Sequence, residues 1–293
     1  MQTTDTLGRA TFHNIKARAN VRPTAREVRW LKHIERHGPQ ASTFLYELTR
    51  DTHRCKDTSL RQLQKLRAGG FLFLPKQQRL IEHADFNPYI YDLAPLGKAY
   101  LEDYGFAEPT VRPTGHWWHG YATSCVTSSI EVSAAKEDTR FLPAHEILAR
   151  RNASFAIPIG KSKVIPDQLF ALDYGGSYRA FLLEMDRGTE PLQSDAARKS
   201  LKRSIDQYAH IIQYDLHKQH YGLKANVLVL WVFNSRSRQN AFQMLLANVP
   251  ERIAQSFLLS TVAFPKSFWA VEEAFYFGEW ERSRGKGVKI SRP

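Results

Sequence analysis

Apolar residues recur at helical spacing through the first part of the chain. They appear every three or four positions in residues 24–37, 41–50 and 57–68, and this spacing places them on one face of a helix. In the last of these segments the apolar face consists of Leu60, Leu63 and Leu66. The pattern therefore predicts three successive helices, each with one buried side.

Two short apolar runs follow the predicted helices. Gly69-Gly70 ends the third helix, and residues 71–74 and 89–93 have the composition of strands. Residues 96–103 return to helical spacing. Three helices, two strands that form a wing and a closing helix follow the order of a winged helix-turn-helix, which we predict over residues 24–104.

Basic charge is concentrated in this predicted domain. The chain of 293 residues carries a formal net charge of +12, and the stretch from Arg9 to Arg79 has sixteen Lys and Arg against five Asp and Glu. Such an excess favours an anionic partner, so we expect double-stranded DNA. Two alternatives remain open: an ordinary solvated basic surface, and a winged helix that contacts protein.

The third predicted helix and its flanks carry side chains suited to DNA. Arginine, glutamine and lysine on the helix have the chemistry that reads base edges in the major groove. Flanking lysines and arginines would neutralise phosphates. The DNA-binding candidates are Arg54, Lys56, Ser59, Arg61, Gln62, Gln64, Lys65, Lys76 and Arg79.

A second domain is predicted after a linker rich in proline and glycine at residues 105–115. It extends over residues 116–280 and precedes a basic tail, residues 281–293, that we expect to be disordered. Helical spacing over residues 194–220 predicts a long helix, and the apolar run 225–233 predicts a strand buried on both faces. The chain as a whole is therefore expected to be an α/β (α+β) protein.

A hairpin with a defined register lies inside this second domain. The strand-like residues 164–173 and 178–186 flank Gly175-Gly176, a pair suited to a tight turn. If the two glycines form the loop, Asp167 lies directly opposite Glu184 on the neighbouring strand. Directly opposed side chains point to the same face of a sheet. The sequence therefore predicts two neighbouring carboxylates.

Asp186 adds a third carboxylate to the same face, because it lies two residues beyond Glu184 on one strand. A register shifted by one residue would separate these acids. A purely structural alternative also exists, in which Asp186 pairs with Arg187 and caps the loop before the long helix. Converging acids without cations are costly, so that alternative requires basic partners.

The phrases IPDQLFALD and FLLEMDRGTEPL, behind a predicted winged helix, resemble the replication-relaxation family of plasmid and mobile-element proteins. The resemblance covers roughly residues 24–250. It implies that the second domain is similar to the PD-(D/E)XK nuclease fold, so the protein would be an N-terminal winged helix-turn-helix followed by a PD-(D/E)XK-like α/β domain.

The resemblance also implies a metal site. In such nucleases the aspartate after proline and the glutamate of the next strand hold Mg²⁺, which indicates Asp167 and Glu184 as ligands and Mg²⁺ or Mn²⁺ as the cofactor. A lysine two residues after the glutamate normally assists, but Asp186 stands there. Three interpretations follow: Lys199 or Lys202 supplies the ammonium, Asp186 is an extra metal ligand, or the site is inactive.

Other acids and histidines of this domain are weaker candidates. Glu131, on the helix predicted over residues 116–136, is a possible fourth acid. His116 and His119 in HWWHG are interpreted as a surface or partly buried pair, because a zinc site needs further ligands.

The leading hypothesis is a DNA-binding protein of a plasmid or mobile element that is also a Mg²⁺-dependent DNA endonuclease in replication, relaxation or mobilisation. The alternative is a catalytically inactive accessory or regulatory protein with a degenerate nuclease fold. A third hypothesis is an adaptor that contacts replication or mobilisation proteins. A homodimer is a further open expectation, since winged-helix proteins often dimerise.

Cysteine usage and hydropathy point to a cytoplasmic protein without a membrane partner. The two cysteines, Cys55 and Cys125, form no disulfide framework, which fits a reducing compartment. The start of the chain lacks the apolar region of a signal peptide. The longest apolar run, residues 225–233, is far shorter than the roughly 20 residues of a membrane span.

Overall fold

The first helix begins at a capping box formed by Thr24 and Glu27. In the computed structural model, the Glu27 N–H donates a hydrogen bond to Thr24 Oγ1 at 3.4 Å, and the Thr24 N–H donates one to Glu27 Oε2 at 2.7 Å. Both bonds satisfy amide groups at the helix start that have no partner within the helix. Helix α1 (Ala25–His37) ends at Gly38, whose φ of +111° favours glycine.

Helices and strands are mixed along the described chain, so the protein belongs to the α/β class. The structure describes residues 15–80, 87–108, 116–194, 199–263 and 266–292. Two compact units divide the chain: Met1–Pro109 with Phe268–Val271, and Thr110–Ser267 with Glu272–Pro293. The sequence predicts a second domain that is continuous to residue 280, whereas Phe268–Val271 belongs to the first unit. Residues 109–115 of the predicted linker lie outside the described residues.

The first unit packs its helices against a small three-stranded sheet. Its elements after α1 are β1 (Gln40–Ala41), α2 (Ser42–Leu48), α3 (Lys56–Ala68), β2 (Leu72–Phe73), β3 (Ile90–Leu93) and α4 (Pro95–Asp103). The strand order is β1-β3-β2, and both neighbours pair with β3 in antiparallel fashion. The predicted helices and the two predicted strands are present, whereas β1 is too short for a periodic pattern to reveal.

The buried face of α3 differs from the predicted face by one position. Leu63 and Leu66 are fully buried, but Leu60 is only partly buried and Ser59 takes its place. A helix has about 3.6 residues per turn, so residues spaced by four and then three form a straighter row than a strict repeat of three. The core of this unit therefore uses Ser59, Leu63 and Leu66.

The second unit is built on a five-stranded sheet with helices packed against it. Its helices are α5 (Trp117–Ala134), α6 (Ala144–Ala149), α7 (Leu201–Gln213), α8 (Leu216–Tyr221), α9 (Arg236–Leu246), α10 (Glu251–Ala254) and α11 (Ala274–Phe277). Its strands are β4 (Arg140–Pro143), β5 (Ile157–Ile159), β6 (Ser162–Val164), β7 (Gln168–Asp173), β8 (Tyr178–Asp186), β9 (Val227–Phe233), β10 (Phe257–Thr261), β11 (Glu279–Trp280) and β12 (Val288–Lys289). The large sheet has the order β10-β9-β8-β7-β4, in which β9 is parallel to both neighbours and the other pairs are antiparallel.

Strand β9 occupies an interior position of this sheet, between β8 and β10. Val229, Leu230, Val232 and Phe233 are all fully buried. A strand with neighbours on both sides and packing on both faces accepts apolar residues at every position. The prediction of a buried strand in this run is confirmed.

The long helix predicted over residues 194–220 is two helices, and residues 195–198 lie outside the described residues. Helix α7 ends at Gln213 and α8 begins at Leu216, because Asp215 adopts φ +51°, which does not continue a right-handed helix. Apolar residues of both helices pack in the same core, including Ile211 and Tyr221. The apolar spacing therefore continues across the break and conceals it.

Two further segments differ from the expectation. Strands β5 and β6 form an antiparallel hairpin that the sequence pattern does not predict. The basic tail is ordered in the described range, since β12 pairs with β11 and Ile290 is fully buried. Tyr174 Oη donates to the Ile290 carbonyl, and Arg179 Nη1 donates to the Arg292 carbonyl at 2.8 Å. The expected disorder is wrong because one apolar side chain and two carbonyl contacts attach the tail.

Phe242 and Met244 on α9 form a matched pair for testing the core. Phe242 is fully buried with its ring centroid 4.4 Å from that of Trp231, whereas Met244 is 69% exposed. We expect Phe242→Ala to lower the free energy of unfolding by about 3–5 kcal/mol, because it removes buried apolar area and leaves a cavity. Met244→Ala should change it by less than about 0.5 kcal/mol. Urea unfolding followed by circular dichroism measures both, and equal effects would contradict this packing.

Candidate functional site

The hairpin of β7 and β8 forms the centre of the candidate site. Gly175-Gly176 occupies its turn with φ values of +79° and +127°, and Gln168 pairs with Leu183. This is the predicted register, which is confirmed. Continued by one residue, it places Asp167 opposite Glu184, and the Asp167 N–H donates to the Leu183 carbonyl at 3.0 Å.

Asp167 is buried and held from two sides. Its Oδ1 lies 2.7 Å from His119 Nε2, and its Oδ2 accepts a hydrogen bond from the Met185 N–H at 2.8 Å. The first partner comes from α5 and the second from β8. The carboxylate orientation is therefore determined by a distant helix as well as by the adjacent strand.

Helix α5 brings His119 to the hairpin because α5 is buried over most of its length and packs against β7 and β8. Many of its buried residues are serine or threonine, and several of their hydroxyls donate to carbonyls of the same helix. Thr123 Oγ1, for example, donates to the His119 carbonyl at 3.0 Å, a bond that satisfies a polar side chain without a tertiary partner. The sequence interpretation of His116 and His119 as a pair without a site misses the His119 contact with Asp167.

Glu184 is the most perturbed acid of the site. Burial and the nearby negative charge of Asp167 raise the pKa of Glu184 to about 8, against the opposing influence of Lys199 and of a hydrogen bond from Tyr208. Tyr208 Oη on α7 donates that bond to Glu184 Oε1. Lys199 Nζ lies 3.9 Å from Glu184 Oε2. Without an added cation the site therefore favours the protonated acid.

Of the two lysines considered in place of the absent strand lysine, Lys199 is the one that lies beside the acids. Its Nζ lies 3.1 Å from Glu190 Oε1 in addition to its contact with Glu184. Burial lowers the pKa of Lys199, but Glu184 and Glu190 outweigh it, so the pKa is raised overall. Lys199 therefore stays positively charged beside the acids.

Asp186 lies on the same face as Glu184 but has its own basic partner. Its Oδ2 accepts a hydrogen bond from Arg238 Nε at 2.6 Å, and its Oδ1 accepts one from the Gly188 N–H at 2.7 Å. Arg238 also donates to the Glu190 carbonyl. The guanidinium of Arg238, which is always charged, therefore already neutralises Asp186, so the arrangement does not favour Asp186 as a metal ligand.

The three predicted acids line one cavity of about 370 Å³, which we call the acidic cavity. Its charged and histidine residues are Asp167, Glu184, Asp186, Glu190, Arg187, Lys199, His116 and His119. Lys202 is not among the described residues that line it; its Nζ lies 2.9 Å from Asp206 Oδ2 on the exposed side of α7. Glu131 on α5 is likewise not among them.

The DNA-binding candidates of the first unit divide into exposed and engaged side chains. The exposed ones are Arg54, Lys56, Arg61, Gln64 and Lys76. Ser59 is fully buried and its hydroxyl donates to the Lys56 carbonyl at 2.8 Å, so the expectation that Ser59 faces DNA is wrong. Ser59 is buried because it belongs to the row of α3 residues, with Leu63 and Leu66, that packs into the core.

Three other candidates are only partly exposed. Gln62 Oε1 accepts a hydrogen bond from Arg26 Nη1 at 3.1 Å, and Lys65 Nζ lies 2.5 Å from Glu27 Oε1. Arg79 is half-buried in the 3-10 helix Lys76–Leu80, and the segment after it, residues 81–86, lies outside the described residues. Fewer residues are therefore fully exposed to a DNA partner than the sequence analysis predicts.

A family model described as replication-relaxation matches residues 31–227, about two thirds of the chain. The chain belongs to the replication-relaxation family. Neither the curated proteins nor the solved structures gave a match. The matched range of this replication-relaxation protein begins in α1 and ends in β9, so it includes α3 and the β7–β8 hairpin. None of the helices in its described part has the length and apolar character needed to cross a membrane.

The donors of this replication-relaxation protein fit a hard divalent cation. Carboxylate oxygens are the ligands that Mg²⁺ and Mn²⁺ prefer, and imidazole suits many transition metals. Glu184 is an acid whose charged form is disfavoured by burial and by Asp167, and a divalent cation between the two would reverse that penalty. Asp167 and Glu184 would hold the ion, with His119 beside them.

Substitution of Glu184 tests this electrostatic description through pH. The pKa of Glu184 is about 8 in the folded protein, against an ordinary value of 4.5. Between these values the unfolded chain loses the proton while the folded protein keeps it, so the free energy of unfolding falls as pH rises. We expect Glu184→Gln to remove this fall, measured by urea unfolding in EDTA from pH 4.5 to 9. The exposed control Glu251→Gln should keep the wild-type profile, and parallel profiles for all three proteins would refute the assignment.

Proposed function

We propose that this replication-relaxation protein binds double-stranded DNA and cleaves it with Mg²⁺ or Mn²⁺, in the replication, relaxation or mobilisation of a plasmid or other mobile element. The observation that carries the proposal is the acidic cavity, where Asp167 and Glu184 lie beside the ammonium of Lys199. Two carboxylates from adjacent strands with a nearby cation suit metal-assisted hydrolysis of a phosphodiester.

The first unit is proposed to be a winged helix-turn-helix that binds DNA. The element order α1-β1-α2-α3-β2-β3 and the strand order β1-β3-β2 support this assignment. Arg61 and Gln64 are exposed on α3, so they are available to enter the major groove. Lys56 and Lys76, also exposed, would contact phosphates.

The second unit is proposed to be a PD-(D/E)XK-like nuclease domain. In support, an antiparallel hairpin carries the two acids, the helices α7 and α8 follow it, and the next strand, β9, is parallel to β8. The domain departs from that pattern at Asp186, where such nucleases carry lysine. We propose that Lys199, from the segment before α7, supplies the missing ammonium.

The residues around the two acids have roles that follow from their contacts. Asp167 and Glu184 would hold the ion, which when bound neutralises charge developing on the phosphate and makes water more acidic. His119 orients Asp167, and Tyr208 orients Glu184 through its hydroxyl. Lys199 places a positive charge on the wall of the same cavity, where it would stabilise the phosphate oxygens.

One observation favours the second candidate function, an accessory DNA-binding protein without catalysis. The Arg238 guanidinium lies against Asp186, so the strand position two residues after Glu184 holds an ion pair rather than a free cation. Such a pair stabilises a fold whether or not the site is active. The two candidates differ in metal binding and cleavage and agree in DNA binding.

DNA binding by the first unit is tested with Lys56→Gln and Arg61→Gln. Each substitution should weaken binding severalfold, and Lys56→Gln, which removes a proposed phosphate contact, should also lower the slope of log affinity against log salt by up to about 0.9. Fluorescence anisotropy with a labelled 30-base-pair duplex in EDTA measures both quantities. Lys98→Gln on α4, also exposed, is the control and should bind like the wild type. Binding that is insensitive to salt would instead support a protein adaptor.

Cleavage is tested by nicking of supercoiled plasmid in Mg²⁺ or Mn²⁺, with calorimetry of Mn²⁺ binding alongside. Asp167→Ala and Glu184→Ala should each abolish nicking and weaken Mn²⁺ binding, because each removes an expected ligand. Lys199→Met should retain Mn²⁺ binding while nicking falls by about 10²-fold or more. The exposed Glu251→Ala serves as the control for loss of an acid.

Two results would separate the candidate functions. Nicking that requires metal and both acids supports the endonuclease. Wild-type protein that binds DNA in a salt-sensitive manner, yet neither binds Mn²⁺ nor nicks DNA, would rule out the endonuclease and leave the accessory protein.

A further inference from the structure

A second cavity of about 340 Å³ adjoins the acidic cavity. Ile165, Glu184 and Lys199 line both, so the two cavities share one wall. The side chains that line only the second one include Lys163, Arg203, Ser204 and Gln207. We call it the basic cavity.

The two cavities differ in charge. The acidic cavity is lined by four carboxylates against two Lys or Arg, whereas the basic cavity is lined by one carboxylate, Glu184, against Lys163, Lys199 and Arg203. A ligand that fits both cavities would carry an anionic group for the basic cavity and, beside it, a group that binds a metal ion in the acidic cavity. A polynucleotide strand has this property, because its phosphates recur at regular intervals.

Ser204 provides a second, independent observation that points to a ligand in the basic cavity. It is 3% exposed, and its hydroxyl has no hydrogen-bond partner among the described residues. Buried hydroxyls in folded proteins nearly always have a partner. Ser204 is one of the residues that line the basic cavity, so a group bound there would lie close to this unsatisfied hydroxyl.

Two further donors on this wall are also available. Lys163, on strand β6, is exposed and forms no ion pair within the described part of the chain, and the Gln207 amide has no hydrogen-bond partner there. Ammonium, guanidinium, hydroxyl and amide groups all donate hydrogen bonds to phosphate oxygens. The wall of the basic cavity therefore offers donors of several types around one shared space.

We propose that the basic cavity binds a backbone phosphate of the DNA strand, adjacent to the phosphate held at the acidic cavity. Lys163 and Arg203 supply charge, and Ser204 and Gln207 donate hydrogen bonds. This assignment rests on the proposed function, since it makes the basic cavity part of the same nucleic-acid site. It adds the direction in which the strand leaves the acids, along α7 and past β6.

Duplex binding in EDTA by the full chain tests the proposal. The double variant Lys163→Gln/Arg203→Gln should bind a labelled 30-base-pair duplex about tenfold more weakly, with a salt slope lower by up to about 0.9 for each cation lost. The matched control Lys161→Gln/Arg252→Gln removes two exposed cations that do not line the cavity and should change affinity less than twofold. Equal affinities of the two double variants would overturn the proposal.

Ser204→Ala separates a ligand-binding role from a structural one. If the hydroxyl awaits a phosphate, the variant should weaken DNA binding severalfold while the melting temperature of the free protein stays equal or rises, because an unsatisfied buried group is removed. A lower melting temperature with unchanged DNA affinity would assign Ser204 to the fold and contradict the proposal.

The two sources of phosphate are distinguished by competition. Inorganic phosphate at constant ionic strength should compete weakly with DNA for the wild type and not for the double variant. Tight binding of inorganic phosphate that leaves DNA affinity unchanged would assign the cavity to a small anion and overturn the strand proposal.

Failure here is distinguishable from failure of the proposed function. The binding assays contain no metal, so they do not depend on cleavage. Mn²⁺ calorimetry on the Lys163→Gln/Arg203→Gln variant should match the wild type. Absent Mn²⁺ binding with a weakened double variant would leave the phosphate site and remove the nuclease, whereas normal nicking and normal DNA affinity in that variant would do the reverse.

Discussion

Two carboxylates, Asp167 and Glu184, are buried opposite each other on the β7–β8 hairpin. Burial and their mutual repulsion raise the pKa of Glu184 to about 8, and such groups persist in a fold only when donors or cations surround them. The neighbouring elements supply these partners: His119 from α5, Tyr208 from α7 and Lys199 from the segment between β8 and α7. The packing of α5 and α7 around the hairpin therefore places the partners that the two buried carboxylates need.

The same constraint explains how the protein accommodates Asp186 at the position where the proposed PD-(D/E)XK pattern has lysine. Arg238, on α9, binds Asp186 and the Glu190 carbonyl, and the Glu190 side chain in turn binds Lys199. A continuous set of charged contacts therefore links α9 to the cavity beside Glu184. Strand β8 lacks the lysine, and Arg238 and Lys199 supply positive charge from two other segments. The negative charge of the acids is therefore still compensated.

The second unit has two adjoining cavities of opposite charge, and their order defines a path for a bound strand. The acidic side has four carboxylates and two histidines, and the basic side has cations and Ser204, whose buried hydroxyl has no partner among the described residues. Lys199 and Glu184 stand on the shared wall, so under the proposed function a strand that crosses it would pass from the carboxylates to the basic side chains. The first unit contributes a separate basic surface around α3, which accounts for the charge excess in the early part of the chain.

The amino-acid sequence by itself determined the features that depend on near neighbours. Gly175-Gly176 and the flanking strands set the register that opposes the two acids, and the apolar run of β9 set an interior strand. The pattern did not reveal the break at Asp215, because apolar spacing continues through it. Only the tertiary structure decided which side chains satisfy the acids, since His119 and Arg238 are distant in the chain and reach them through helix packing. Spacing along a chain records which face a residue occupies, and carries no information on which other element will cover that face.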